Sequence, residues 1–510
     1  MPRTGATLAT VAALASIIGL GRGTRRDLGG ALVVLAVLGA ALGYLLWLAW
    51  PALLPPGSGS DLTHHLLLVD FIERHGELPH DASAVEYLGE MADYTPGFHL
   101  LAVIAGALAH TNGFHALYPV VAVAVALKFA VFSLILLRLF ADSPIRLPLA
   151  AGGTIAVLTA STYSLGSFVA DSFLAQAVAE LFAMASWWAL VWWEATPRWT
   201  SMLLFAVASI AAFLTWPVWI GPPIVALVLL MAWSRTLTST LRGVHAAIAL
   251  LPIAVVTLIH SIGRAGQVSI VGTSGAVVPP SVAVLGWSLP LLAVCGAIVA
   301  AVRHRHRAPI VFAAAIAAQA AGLWLVAAGQ TPYMAIKMTY LAIYPAIVFA
   351  AFAIDAAWIA VTSRIHAVAV RRASLALAWL LVFALAAAVR RDVPMRSKVK
   401  PIVSNDMLAA GQWARAHVPI GCVDYLVGNE YTAYWLHLAV LGNPRISART
   451  GNDDTFLTQP SMGRWLVPGP PRYAIANLAI LPAEIRGEVN VLRQFGQATV
   501  IERRSPSTCP

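Results

Sequence analysis

Apolar runs of about twenty residues recur along most of this 510-residue chain. Each is long enough to cross roughly 30 Å of hydrocarbon as a helix. A crossing segment must satisfy its backbone polar groups internally, so only helices and closed barrels qualify. The runs are continuous and do not alternate, which argues against a barrel. The chain therefore reads as a polytopic α-helical membrane protein of about 11–13 transmembrane helices. Composition agrees, with 59% hydrophobic and 11% charged residues. A soluble chain of this length would carry about twice that charge.

The expected spans are 5–21, 29–50, 114–140, 147–163, 172–193, 200–215, 218–233, 243–260, 279–301, 309–328, 333–361 and 373–389. The apolar stretch 96–109 is short and reads as an interfacial or re-entrant helix. The basic loops at 22–27, 138–146, 194–198, 234–242, 303–307 and 362–372 all fall on one side of this topology. Basic loops mark the cytoplasmic face. The net charge of +10 thus reflects topology and not affinity for nucleic acid. In 5–21 the basic residues follow the apolar run, so no secretory signal peptide is expected there. The bias towards arginine and alanine suggests a GC-rich bacterial genome and hence a bacterial cytoplasmic (inner) membrane.

This orientation divides the chain into a transmembrane domain, 1–389, and a soluble extracytoplasmic domain, 390–510. The first contains an outer loop, 51–113. The second has turn signals between short strand-like runs, CVDYLVG, YAIANLAIL and ATVIERR, and reads as a small α/β domain. A helix over 405–417 with Ser404 as its N-cap is expected to open it. Cys295 lies in an apolar run and reads as an inert core residue. Cys422 and Cys509 are both in the outer region, where a disulfide is plausible.

The outer loop is chemically distinct. Between Gly57 and Phe98 it holds eight acidic residues, one arginine and four histidines. Ser60–Asp61 reads as a helix cap. Leu62, Leu66, Val69 and Ile72 or Glu73 recur at helical spacing, and Gly76 stops the helix. Asp61, His64 and His65 then share one face near the helix N-terminus, where partial positive charge favours a carboxylate or a phosphate. Further on, DYTPGFHLL (93–101) places Pro96 at a helix start, and Gly97 permits close backbone approach. The plain alternative is a first-turn aspartate with solvated histidines.

GSDLTHH (59–65), the amphipathic helix after it with an HxxxxxxxI/V pattern, and YTPGFHLL (94–101) resemble elements of the GT-C glycosyltransferases. The span count and the C-terminal outer domain are similar as well. The resemblance implies a multi-span enzyme that uses a polyprenyl-phosphate-linked sugar, with the loop aspartate, here Asp61, as catalytic base. Some branches bind a divalent metal through a DxD motif. Here the positions read Asp61-Leu62-Thr63, so no metal or other cofactor is firmly implied.

Such a transfer needs a base for the acceptor hydroxyl, cations or N–H donors for the departing phosphate and a groove for the lipid. Lys337, near the outer end of a span, is costly there unless it snorkels or is paired. It is the leading phosphate ligand, flanked by Tyr333 and Tyr340. His65, His99 and Arg264 are further candidates for the phosphate, and His64, Asp93, Tyr94, Asp171 and Tyr333 are possible supports. Arg264 also suits a plain interfacial anchor, as does His260 nearby. Asp171 also suits a cap for a helix starting at Ser172. A metal held by His64 or His65 with Glu86, Glu90 or Asp93 is disfavoured, because adjacent helical side chains diverge. In NEYTAYWLH (429–437), Glu430, Tyr434 and Trp435 could stack on an acceptor sugar or simply pack.

The reading is transfer of a sugar, with arabinofuranose or mannose as guesses from composition, to a cell-envelope glycan or lipid at the outer face. The partners are the donor lipid, the acceptor and membrane lipid. A secondary transporter, which would show repeated helix breaks like WPVWIGPP (216–223) in both halves, and a lipid-linked-glycan ligase or polymerase are the rivals.

Overall fold

The computed structural model describes residues 27–57, 59–79, 88–160, 172–234, 237–262, 286–303, 306–327, 332–363, 368–392, 401–444, 465 and 471–505. The Asp27 carboxylate accepts from the Gly30 N–H at 3.0 Å and caps helix α1 (Leu28–Ala49). Two shorter helices of the loop follow, α2 (Ser60–His75) and α3 (Gly97–Leu108). The chain then enters a series of apolar helices. These are α4 (Gly113–Leu139), α5 (Arg146–Ala160), α6 (Leu174–Ala195), α7 (Trp199–Thr215), α8 (Gly221–Trp233), α9 (Ser239–Ser261), α10 (Ser288–Arg303), α11 (Arg307–Val326), α12 (Tyr333–Thr362) and α13 (Val368–Asp392).

Among the described residues six helices are long and apolar enough to cross a membrane: α1, α4, α6, α9, α11 and α12. Of the other expected spans, 5–21 lies outside the described residues. The remaining five coincide with α5, α7, α8, α10 and α13, and the last of these continues past residue 389 to Asp392. This is a multi-pass membrane protein. Its outer helices expose Leu251, Leu258, Leu291 and Leu380, the side chains that lipid covers. Cys295 is exposed on α10, which corrects its expected core position. At Gly296 an added Cβ would collide with the Phe349 carbonyl oxygen, so α10 and α12 meet backbone to backbone, as small residues allow in membranes.

Ser404 caps α14 (Asn405–His417), accepting from the Met407 N–H, as the sequence predicts. The domain that follows carries β1 (Val423–Leu426), α15 (Glu430–Trp435), β2 (Tyr473–Asn477), α16 (Ala483–Gly487), β3 (Val489–Phe495) and β4 (Ala498–Arg503). The sheet order is β1-β2-β4-β3. β1 and β2 run parallel, and β4 is antiparallel to both its neighbours. Three strands match the apolar runs in the sequence. β3 does not, because it is an edge strand whose residues are mostly exposed and so carries no alternating pattern. A six-residue π-helix, Leu436–Leu441, continues α15. Its buried leucines and Trp435 belong to the same continuous core as α2 and α4.

Candidate active site

The first turn of α2 departs from the expected cap. Gly59 occupies the cap position with φ 93° and offers no side chain to cap with, so Ser60 and Asp61 are already helical. The far end is as predicted: Gly76, at φ 70°, donates its N–H to the Ile72 carbonyl at 2.9 Å. Leu62, Leu66, Val69 and Ile72 are all buried. Leu67 and Leu68, on another face, are buried too, so α2 is covered on more than one side. Asp61 is half-buried.

The two adjacent histidines point to different neighbours. His65 Nδ1 lies 3.0 Å from His99 Nε2 on α3, with the Tyr94 and Phe98 rings against its own. Burial, then the nearby charges of His64 and Lys337, lower the His65 pKa to about 3. It is a neutral imidazole throughout the physiological range. His64 Nε2 instead lies 2.7 Å from the Tyr434 hydroxyl in the C-terminal domain. Among the described residues no group of three His, Cys, Asp or Glu side chains could hold a metal ion.

α3 is seated by Gly97. An added Cβ there would lie 2.7 Å from the Leu214 carbonyl oxygen, and Thr95 Oγ1 donates to the Thr215 carbonyl at 3.0 Å. The close approach expected of Gly97 is thus to the end of α7. Immediately beyond, the helix break at Trp216-Pro217 turns the Trp216 ring towards Lys337. The Lys337 ammonium lies 4.1, 4.3 and 5.0 Å from the ring centres of Phe173, Tyr333 and Trp216. The residue is 3% exposed, so it does not snorkel. Three aromatic faces hold its charge, each contributing roughly 0.5–2 kcal/mol. Trp216 in turn lies 6.0 Å from Tyr94, which contacts both His65 and His99. The cage and the Asp61 helix therefore form one cluster.

Other expectations fare differently. His99 is 0% exposed and His65 5%, and their contact braces α2 against α3. Asp93 and Tyr94 are half-buried, with Asp93 closing the short turn Gly89–Ala92. Tyr434 and Trp435 are each 1% exposed. Trp435 stacks on Phe114 with ring centres 5.6 Å apart. Both are packed against the first helices of the chain, Tyr434 on His64 and Trp435 on Phe114. Glu430 is half-buried in the first turn of α15. The N-cap of α6 is Phe173, two residues beyond Asp171. Asp171, Arg264, Glu86 and Cys509 lie outside the described residues. Cys422 is disulfide-bonded.

The sequence reading misses one cluster. Lys128 on α4 donates to Glu180 Oε2 on α6 at 2.5 Å, and the Tyr344 hydroxyl donates to the same oxygen at 2.9 Å. Lys128 and Glu180 are each 1% exposed. The available signal is a charge of each sign within two apolar runs.

No protein-family model and no curated protein matches the sequence. Solved structures do. The crystal structure of ArnT from Cupriavidus metallidurans bound to undecaprenyl phosphate superposes with a TM-score of 0.51 at 14% identity, covering 93% of this chain and 98% of that one. The apo state of the same protein gives 0.49 at 15% identity, over 91% and 97%. The Archaeoglobus fulgidus oligosaccharyltransferase, in complex with Zn and sulfate, gives 0.46 at 13% identity, over 86% and 68%. At these identities the likeness is one of fold.

Proposed function

We propose that this multi-pass membrane protein, whose fold is that of the GT-C glycosyltransferases, transfers a sugar from a polyprenyl-phosphate donor to a cell-envelope glycan or lipid. The observation that carries the reading is the caged Lys337 ammonium beside the Asp61 helix. Ionisable side chains within membrane helices are costly and mark functional sites. The chain keeps Lys337, surrounds it with π faces, and lets its charge reach His65. A fixed cation in low dielectric stabilises negative charge developing on a leaving phosphate.

Asp61 acts as the base. It accepts the proton of the acceptor hydroxyl as that oxygen attacks the anomeric carbon and the bond to the phosphate breaks. The electron pair of the broken bond goes to the phosphate oxygen, beside Lys337. Tyr333 and Trp216 hold Lys337, and His65, His99 and Tyr94 hold α2. The disulfide at Cys422 supports an oxidising, extracytoplasmic location for the C-terminal domain. Cys509 is its proposed partner. The ArnT structure contains undecaprenyl phosphate, which supports the choice of lipid for a first test. Arabinofuranose or mannose is the proposed sugar class.

The test uses purified protein in nanodiscs. Undecaprenyl phosphate binding, and turnover of polyprenyl-phosphoryl arabinofuranose and mannose, are measured for wild type, Asp61→Asn and Lys337→Ala. Wild type and Asp61→Asn should bind the lipid, and Lys337→Ala should not. Turnover should fall by about 10²–10⁴ in Asp61→Asn, the usual contribution of a positioned base. Absence of polyprenyl-phosphate binding by wild type would remove the reading and leave the transporter.

A further inference from the structure

The N-cap residue of α2, Gly59, has no side chain with which to cap the helix. The first N–H groups of a helix have no intrahelical partner, and an uncapped first turn frays. Asp61 sits in that turn. An aspartate meant to meet a lipid phosphate and an acceptor hydroxyl at fixed distances needs its backbone held from outside.

Two contacts do this, from opposite domains. His65 is fastened to His99 at 3.0 Å on the membrane side. His64 is fastened to Tyr434 at 2.7 Å on the C-terminal side. Successive helical residues diverge by about 100°, so adjacent histidines grip the turn from two directions. We propose that His64 and His65 are a two-sided clamp on the Asp61 turn, and that Tyr434 is the positioning residue by which the C-terminal domain closes it. The inference rests on the reading of Asp61 as the base.

Tyr434 is itself rigid. Asn429 caps α15 by accepting from the Tyr431 and Thr432 N–H groups, and Thr432 Oγ1 donates to the Ile402 carbonyl at 2.8 Å. Trp435 beside it is stacked on Phe114 at the start of α4. Further along α2, Arg74 donates to the Ala439 carbonyl in the π-helical turn at 3.4 Å. His115 Nε2 meets Asn405 Oδ1 at 2.9 Å. The domain is thus seated at several points, and His64–Tyr434 lies within one turn of Asp61. The hydrogen bond can run either way, the phenol donating to a bare Nε2 or an Nε2–H donating to the phenol oxygen, and both fix the ring.

The clamp also explains a doublet that metal chemistry does not. Two histidines one residue apart cannot converge on an ion from a helix, whereas they can each meet a different domain.

The experiment compares wild type, Tyr434→Phe, His64→Gln, His64→Ala and the Tyr434→Phe/His64→Ala double variant, all full-length in nanodiscs. Phenylalanine keeps the packing and removes only the hydroxyl. Expected is a fall in kcat of about tenfold in Tyr434→Phe, with KM for the donor and undecaprenyl phosphate affinity unchanged. The double variant should lose no more than His64→Ala alone, because both break one interaction. His64→Gln, which keeps a hydrogen-bonding side chain towards Tyr434, should recover most of the loss. Hydrogen–deuterium exchange of the first turn of α2 should quicken about fivefold in Tyr434→Phe while α4 and α6 stay protected.

Additive losses, or unchanged kcat with unchanged exchange, would overturn the clamp. Exchange needs no substrate, so it reads the clamp even if Asp61→Asn proves active and the base assignment fails. Should Tyr434→Phe not fold, His64→Gln and His64→Ala decide the question by the same two measurements.

Discussion

Lys128 and Glu180 form an ion pair 2.5 Å long, each 1% exposed, across the contact between α4 and α6. A buried pair is expensive to halve. Removing one partner strands a charge and costs about 3–5 kcal/mol, whereas replacing both with apolar or neutral groups of like size is often near neutral. Lys128→Met alone should therefore lower the thermal midpoint in detergent sharply. Lys128→Met combined with Glu180→Gln should restore most of it. A double variant as unstable as the single would mean that the charges do more than pair.

Lys337 is predicted to behave oppositely. Three aromatic rings lie against its ammonium, and methionine packs well against aromatic faces. Lys337→Met should leave the melting temperature within a few degrees of wild type and reduce undecaprenyl phosphate affinity by more than tenfold, about 1.4 kcal/mol. Lower stability with unchanged affinity would make the lysine a structural residue.

His65 sets a pH dependence. In the unfolded chain it takes up a proton at its ordinary value near 6.5, but in the folded protein only near 3. Between these values the unfolded state binds more protons, so stability rises with pH across that window. The stability associated with the neutral ring is fully present above 6.5 and is lost progressively on acidification. Melting at pH 5 should fall below melting at pH 7.5 in wild type, and the gap should shrink in His65→Gln.

Gly97→Ala tests the seat of α3. The new methyl would lie 2.7 Å from the Leu214 carbonyl oxygen and 2.9 Å from its carbon. Backbone cannot yield there as a flexible side chain would, so the helix must move and loosen the Thr95–Thr215 contact. A cost of about 1–3 kcal/mol is expected, read as a lower melting midpoint. A midpoint equal to that of wild type would show the approach to be looser than described.

The membrane character, the helix of the first loop and its glycine stop, the Ser404 cap and three of four strands follow from residue pattern, because each depends on neighbours in sequence. Gly97 is legible for the same reason. What stays hidden depends on residues far apart. Tyr434 carries an aromatic suited to a sugar, and only the fold reveals that its hydroxyl meets His64 on α2. His99 looks available for a ligand until Phe98, Tyr94 and His65 are seen to enclose it. Lys128 and Glu180 are 52 positions apart, and each alone looks like an anomaly within a span. The exposed edge strand β3 lacks any pattern to read.

The His64–Tyr434 hydrogen bond joins residues 370 positions apart. During synthesis, α2 emerges early and its C-terminal cover emerges after every helix of the bundle. Until Tyr434 has been made and carried to the same side as Asp61, the first turn of α2 is gripped from one direction only. A chain released early, or one whose last domain fails to fold, would leave that turn without its C-terminal contact. The order of the polypeptide thus delays this contact until biogenesis is complete.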